Sequence, residues 1–416
     1  MEQLQLTIIA ESPLAIGSKK PGSVSEAADY IPGSVLRGAI AGQLLRLAGT
    51  NPQANDDFSR LFVQDGAAIF SNAYPTNFTH SDSVKKAIPV NVLPSTAVSA
   101  KLKAGFKPKG DGVFDTLIDR FCAEHWQQLY NPTTLTGDRV EPYRGFYTCY
   151  KNNNQKEVYE SHSISKRLLT RVGINRRRST SEEQILYSLE VINESNQKKG
   201  KFYPTTYTAK IGVTDATLAQ HLAEFIKHSN TKIRLGGATS RGLGRVSFKV
   251  KTINFQSTLR DNIKQFNQAL KARWQKWEAL YGKFYTPDIS LSSRLFFTLN
   301  LQSDVILADP WQRTTIISPT LLCQFAGIDD LSLRLETAYT SYDYASGWNA
   351  AWGLMKDIEL ITNSGSVYLF STEKIDAWYS ALEKLEYRGI GARNQEGFGQ
   401  IKVCDAFHTI FQEQPV

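Results

Sequence analysis

At 416 residues, 41% hydrophobic and 21% charged, the chain has the length of two or three domains and the composition of a globular protein, each domain able to bury a core of its own. No apolar run reaches the roughly 18 residues of a membrane helix, the start Met1–Leu6 lacks the basic and apolar regions of a signal peptide, and Cys122, Cys149, Cys323 and Cys404 form no CxxC pair. A soluble cytoplasmic protein with reduced thiols, no membrane partner, no metal and no cofactor is expected, and 48 Lys and Arg against 40 Asp and Glu, a formal +8, favours a polyanionic partner.

Leu4–Ala10 alternates as a half-buried strand does. A loop from Glu11 to Asp29 follows and carries Lys19 and Lys20. Tyr30-Ile31-Pro32-Gly33-Ser34 leads into a helix over Val35–Arg46, with Ser34 as its cap and Leu36, Ile40, Leu44 and Leu47 on its apolar face. Gly38 and Gly42 cost helix propensity and point to close packing on that face. Short strands are expected at Ala67–Ser71 and Pro89–Leu93, a helix over 114–130 and a strand at Tyr143–Tyr150, while Lys101, Lys103, Lys107 and Lys109 read as a solvated loop. His162 opens a basic stretch: Lys166, Arg167 and Arg171, then Gly173-Ile174-Asn175-Arg176-Arg177-Arg178. Ile185–Asn193 and Tyr207–Ile211 read as strands. Asp215 caps a helix through Leu218, Leu222, Phe225 and Ile226, and Arg245–Ile253 is a strand. Residues 258–284 form an amphipathic helix carrying Phe266, Leu270, Trp274 and Trp277. The plan then repeats: strand Arg294–Leu301, a helix from Ser318-Pro319, strands Leu331–Thr337, Asp357–Thr362 and Ser366–Phe370, helix Glu373–Glu386, and strand Gln400–Cys404.

Two glycine loops organise these elements. In Leu235–Val246, Gly236, Gly237, Gly242 and Gly244 fall within nine residues. Glycine reaches positive φ freely, so such a loop turns tightly and presents consecutive N–H groups to an anion, here flanked by Arg241 and Arg245. No Gly-Lys-Ser/Thr closes it, so it is not a Walker loop. A second copy carries Gly389, Gly391, Arg393, Gly397 and Gly399, and Gly397 lies 397 − 242 = 155 residues beyond Gly242. Two copies in matching contexts indicate duplication. The expected fold is α+β: two ferredoxin-like β-α-β-β-α-β domains with insertions, a glycine-rich loop before the last strand of each. The expected limits are 1–257 with a hairpin insertion, a connector helix at 258–290, and 291–416.

With Tyr30–Gly38, the two glycine loops and Arg171-Val172-Gly173-Ile174-Asn175-Arg176, the chain resembles the RAMP superfamily of CRISPR-associated proteins. That family carries RRM-related ferredoxin-like domains, and the Arg171 stretch looks like its hairpin or thumb. Ser346–Leu354 and Gly365–Phe370 are similar to the two-domain subunit of type III-D effector complexes, related to the Csm and Cmr proteins that cap the 5′ tag of CRISPR RNA. The resemblance implies RNA binding through the glycine-loop amides and the thumb. The candidate contacts are Lys19, Lys20, Arg171, Asn175, Arg176, Arg177, Arg178, Gly236, Gly237, Arg241, Gly242, Gly244, Arg245, Gly389, Gly391, Arg393, Gly397 and Gly399. Ser34 and Arg37 join them because helix starts attract phosphate. Trp348 and Trp352 are candidates for a subunit interface. Implied partners are CRISPR RNA, other RAMP backbone subunits and the large subunit of the complex. Arg241–Phe248 half-matches the RRM signature, but Leu243 and Arg245 stand where aromatics belong, so backbone contact is expected and base stacking on the sheet is not.

Catalysis is not expected. Backbone subunits of the family that cut target RNA carry an aspartate in the loop after the first strand, where this chain has Lys19 and Lys20; Asp29 reads as a cap or linker residue. The alternative is a metal-independent CRISPR RNA-processing endonuclease with His162 as general base beside Lys166 and Arg167. A mainly scaffolding subunit is a further alternative.

Overall fold

The computed structural model describes residues 2–17, 26–49, 52–53, 55–64, 66–76, 89–152, 154–175, 180–198, 200–253, 257–289, 291, 293–309, 312–349 and 353–416. Lys19, Lys20, Arg176, Arg177, Arg178 and Trp352 lie outside the described residues, and Asn175 and Trp348 are described by their backbone alone.

The alternating start is strand β1 (Glu2–Ala10), with Leu4, Leu6 and Ile8 fully buried. Helix α1 (Gly33–Ala48) and strands β2 (Ala68–Phe70) and β3 (Thr206–Val213) follow, then helix α2 (Ala216–His228) and strand β4 (Val246–Ile253). The sheet order is β4-β1-β3-β2, all antiparallel, with Leu6 opposite Ala209 on one side and Val250 on the other. Asp215 caps α2 as expected, accepting from the amides of Thr217 at 2.8 Å and Leu218 at 3.1 Å. Leu36 and Ile40 of α1 and Leu218, Leu222 and Ile226 of α2 close the first core.

Helix α1 departs from expectation in three ways. Pro32 takes the cap position and Ser34 lies inside the helix. The buried stripe is Gly33, Leu36, Ile40 and Gln43, and Leu47 is 55% exposed. A Cβ at Gly38 or Gly42 would meet nothing within 4 Å, so these glycines mark an open face and not a packed one. The helix runs past what covers it, and amphipathic spacing does not show where the cover ends.

The second half begins with helix α3 (Leu259–Tyr281) and continues with β5 (Leu295–Leu301), α4 (Pro319–Ala326), β6 (Arg334–Tyr339), β7 (Val367–Thr372), α5 (Ile375–Arg388) and β8 (Ile401–Val403). Its sheet order is β6-β7-β5-β8, again antiparallel. In both halves the fourth strand lies beside the first and the second beside the third. Ser318 caps α4, accepting from Leu321 N at 3.1 Å, with Pro319 in the first turn. The strand expected from Leu331 starts at Arg334. Asp330 takes the preceding residues into a turn, accepting from Ser332 N and Trp378 Nε1, both at 2.9 Å. Those bonds pin α5 to the sheet over the buried Trp378.

Residues 91–162 pack on the second half, although they precede it in sequence. The helix expected over 114–130 runs Leu117–His125, because Val113–Asp115 pairs as a strand with Ala97–Ser99. Its Leu117, Ile118, Phe121 and Cys122 share one core with Leu259, Ile263, Phe266 and Leu270 of α3. Arg273 of α3 pairs with the buried Asp119 at 2.9 Å, and Tyr147 donates to Asp405 at 3.1 Å.

Candidate nucleic-acid interface

The two glycine loops are the same structure offset by 155 residues. Each holds a short 3-10 turn, Thr239–Arg241 and Asn394–Glu396. Positive φ falls at Gly236, Ala238, Gly242 and Gly244 in the first, and at Gly391, Arg393, Gly397 and Gly399 in the second. The anchors match too. Gly237 N donates to Ala15 O at 2.8 Å and Ala392 N to Ile306 O at 3.0 Å; Gly244 N donates to Pro13 O at 2.9 Å and Gly399 N to Asp304 O at 2.8 Å. At Gly244 a Cβ would stand 2.5 Å from Leu235 O, so no side chain fits there. A hairpin enters each half between its second and third strands, and matching bridges tie it down: Leu14 to Ile192, and Val305 to Thr362. The first is the expected thumb, Lys166–Asn175 paired with Thr180–Ile192; the second is a ribbon, Tyr342–Ala345 paired with Glu359–Thr362.

This geometry corrects the expected grip. The amides of Gly237 and Gly244 hold the preceding loop, and that of Gly242 closes the 3-10 turn on Thr239 O at 3.4 Å. None is turned outward. Among the described residues of this loop the amides of Gly236, Ala238, Thr239, Ser240 and Leu243 have no protein acceptor. Gly242 sits at φ +86° with open space around it. Gly242→Val is therefore expected to lower stability by about 1–2 kcal/mol through left-handed strain alone. RNA affinity per folded molecule should stay unchanged. Thermal melting run beside a binding titration checks this, and an affinity loss beyond the folded fraction would show that the arch needs its glycine for contact.

The first loop meets the thumb at the surface. Leu169, Leu189 and Val191 pack on Ala15, Ala238 and Leu243, which fixes the thumb's root beside the arch. Arg171 donates to Arg241 O at 3.2 Å, and the Arg241 guanidinium bonds the Tyr187 hydroxyl and lies 5.6 Å from the centre of its ring. Arg245 is exposed, its amide held by Ser12 Oγ at 2.8 Å. Among the described residues, Arg171, Arg241 and Arg245 pair with no carboxylate. Lys166 and Arg167 do, with Asp29 at 2.7 Å and Glu194 at 3.1 Å.

The second loop faces inward. Its equivalent of Arg241 is Glu396 and its equivalent of Arg245 is Gln400. Glu396 accepts from Lys356 at 2.8 Å and Arg393 at 2.5 Å. Burial opposes its charge, yet Arg393 and Lys356 outweigh burial and hold the carboxyl below its ordinary range. Gly389, Gly397 and Gly399 are buried, and the loop packs on α1 and β2 of the first half. A Cβ on Gly397 would stand 2.7 Å from Asn72 Oδ1, and one on Gly33 would stand 2.8 Å from Glu396 O. The start of α1 is closed to phosphate by the same contacts: Gly33 N donates to Asn72 Oδ1 at 2.9 Å, and Arg37 bonds Phe62 O and reaches Gln395 at 3.5 Å. Arg37 and Gly397 thus belong to the joint between the halves, while Gly389, Gly391, Arg393 and Gly399 pack within the second half.

A model of the RAMP superfamily matches residues 7–247, from β1 through the thumb and the first glycine loop into β4. The chain belongs to the RAMP superfamily. No curated protein matches it. Among solved structures, this RAMP chain is similar to a chain of the type III-B Cmr-beta complex bound to cognate target RNA, at 11% identity over 95% of this chain and 96% of that one, with a TM-score of 0.40. It is similar to a chain of a type IV-B CRISPR complex at 10% identity over 62% and 93%, TM-score 0.30. It is also similar to oligomeric Cmr4 from Pyrococcus furiosus at 12% identity over 61% and 100%, TM-score 0.27.

In this RAMP protein His162 is 6% exposed, on a strand where its Nε2 lies 2.8 Å from Thr148 Oγ1. Lys166 and Arg167, the cations expected beside it, pair with Asp29 and Glu194. Asp29 is exposed and paired with Lys166. Among the described residues no group of three His, Cys, Asp or Glu side chains is placed to hold a metal ion. Two features escaped the sequence reading. The exchange of Arg241 for Glu396 is visible at the 155-residue offset and separates the loops by charge. The hairpin Ser195–Lys198 with Lys201–Pro204 was signalled by Lys198-Lys199-Gly200-Lys201, a turn between two polar strands.

Proposed function

We propose that this RAMP protein is the RNA-binding subunit of a type III CRISPR effector complex, of the type III-D kind, and caps the 5′ repeat-derived tag of CRISPR RNA in antiviral defence. It is built as two ferredoxin-like domains, with α3 and residues 91–162 packed on the second of them. The observation that carries this reading is the convergence of Arg171, Arg241 and Arg245, free of carboxylates among the described residues, on a glycine arch within the RAMP-matched segment. Unpaired cations on a rigid loop fit phosphates and set register without reading sequence. The protein acts in the cytoplasm without catalysis, a reading supported by the buried His162 and the paired Asp29. Backbone RAMP subunits and the large subunit are its protein partners. The ribbon Tyr342–Thr362 favours such docking, since Tyr342, Tyr344, Leu354, Met355 and Ile358 along it are all exposed.

The test compares RNA bearing the repeat-derived 5′ tag with the same RNA carrying a scrambled tag, in magnesium. Tighter binding of tagged RNA, with both RNAs intact, is the expected result. Equal binding removes the cap and leaves an RNA-binding subunit. Magnesium-dependent cutting of target RNA, abolished by Asp29→Ala, would overturn the non-catalytic reading.

A further inference from the structure

The hairpin Ser195–Lys198 with Lys201–Pro204 is a two-stranded ribbon, and among the described residues none of its side chains joins a hydrophobic core. Its register runs from Ser195 opposite Pro204 to Lys198 opposite Lys201, and Gly200 makes the turn at φ +76°. Such a ribbon gains nothing from an aromatic in water, yet Phe202 is 73% exposed at the second position from the turn. The stretch Gln197–Phe202 carries three lysines and no acid. We propose that this hairpin is a base-stacking finger for single-stranded RNA, with Phe202 as its platform; this rests on the RNA-binding reading above and adds to it where a base is held.

Three observations support the assignment. The root is rigid: Thr205 N donates to Glu194 O at 2.8 Å, Ala10 N donates to Thr205 O at 2.9 Å, and Ser165 N donates to Asn196 Oδ1 at 3.3 Å. The root is also shared with the arch. Ala10 holds the hairpin, and the next residue, Glu11, donates its amide to Arg245 O at 2.9 Å. Phe202 lies three residues from Thr205, so its ring is carried about 10 Å out from that root. A strand running over Arg171, Arg241 and Arg245 therefore reaches the finger within a few nucleotides. The third observation is charge. Interface cores between proteins are depleted in lysine, whereas single-strand sites combine an aromatic face with cations on the backbone. On the described strands β1 to β4 the aromatics Phe70, Tyr207 and Phe248 are buried in the core and present no face to a base.

The experiment uses the full chain and a labelled single-stranded RNA oligonucleotide, with 2-aminopurine placed at successive positions. Phe202→Ala is expected to weaken binding about tenfold and to leave the salt slope and the melting temperature unchanged. Fluorescence quenching at one 2-aminopurine position should be lost with it. Phe202→Trp should bind at least as tightly as the native chain, and Phe202→Leu should remain weak, because a leucine keeps the apolar surface without the π-face. Native affinity in Phe202→Ala, with Arg241→Ala still weakened, would remove the finger and leave RNA binding in place. Native affinity in Phe202→Leu would make the contact merely apolar and would also remove it. If the native chain binds no RNA at any salt concentration, the RNA-binding reading falls, and the finger with it.

Discussion

Gly33→Val is expected to lower the stability of the chain by about 3 kcal/mol or more. A Cβ at this position would collide with Phe70 O and stand 2.8 Å from Glu396 O. Both obstacles are backbone. Phe70 is held in β2 against Ile211, and Glu396 lies in a 3-10 turn whose Glu396 N donates to Arg393 O at 2.9 Å. Neither can swing aside as a side chain would, so the helix must lift from the second glycine loop. Lifting it also frees Gly33 N from Asn72 and Arg37 from Gln395, which leaves buried polar groups unpaired. The contrast is Gly38→Ala in the same helix. Position 38 is exposed and open, so alanine should stabilise by about 0.5–1 kcal/mol through helix propensity alone. Denaturant midpoints at constant slope separate the two. If Gly33→Val unfolds with the native midpoint, the second loop does not clamp the two halves together.

Arg171→Ala, Arg241→Ala and Arg245→Ala combined should weaken single-stranded RNA binding on the order of a hundredfold at about 0.1 M salt. Each phosphate contact on a single strand contributes about 0.7 to the slope of log K against log salt, or about fivefold in affinity at that salt. Loss of all three should flatten the slope by about 2. Arg241 has a second role, since it packs on Tyr187 and its carbonyl accepts from Arg171, so Arg241→Lys should keep the slope while loosening the thumb. Arg393→Ala is the control. Arg393 pairs with Glu396 and stacks 5.0 Å from the Phe398 ring centre within the second half, so its loss should affect melting and leave the slope alone. A slope that falls with Arg393→Ala and stays with the triple variant would exchange the roles of the two loops.

Much of this arrangement is local, and local physics is legible in a sequence. The alternation of Leu4, Leu6 and Ile8 follows from the two-residue period of a strand. Asp215 and Ser318 cap their helices because a short acceptor side chain can satisfy the first free amides wherever a helix begins. The two glycine arches recur at one offset because positive φ at Gly242 and Gly397 is a property of the residue itself. The order of the elements and the recurrence of the glycine arch were readable on those grounds. What could not be read is which surface each element meets. Arg37 was placed on RNA because a helix start attracts anions, yet Gln395, 358 positions later, occupies its far side. Gly38 and Gly42 suggested packing, and nothing arrives there. Leu117–Cys122 joined the core of the other half, around Phe266 and Leu270. The two arches share one backbone, but the first lies open beside the thumb and the second is clamped on Gly33 and Asn72. Caps, periods and backbone turns are decided within a few residues. The exposure of a glycine arch is decided by chain that lies hundreds of residues away, so only the tertiary structure could separate the loop facing solvent from the loop holding the two halves together.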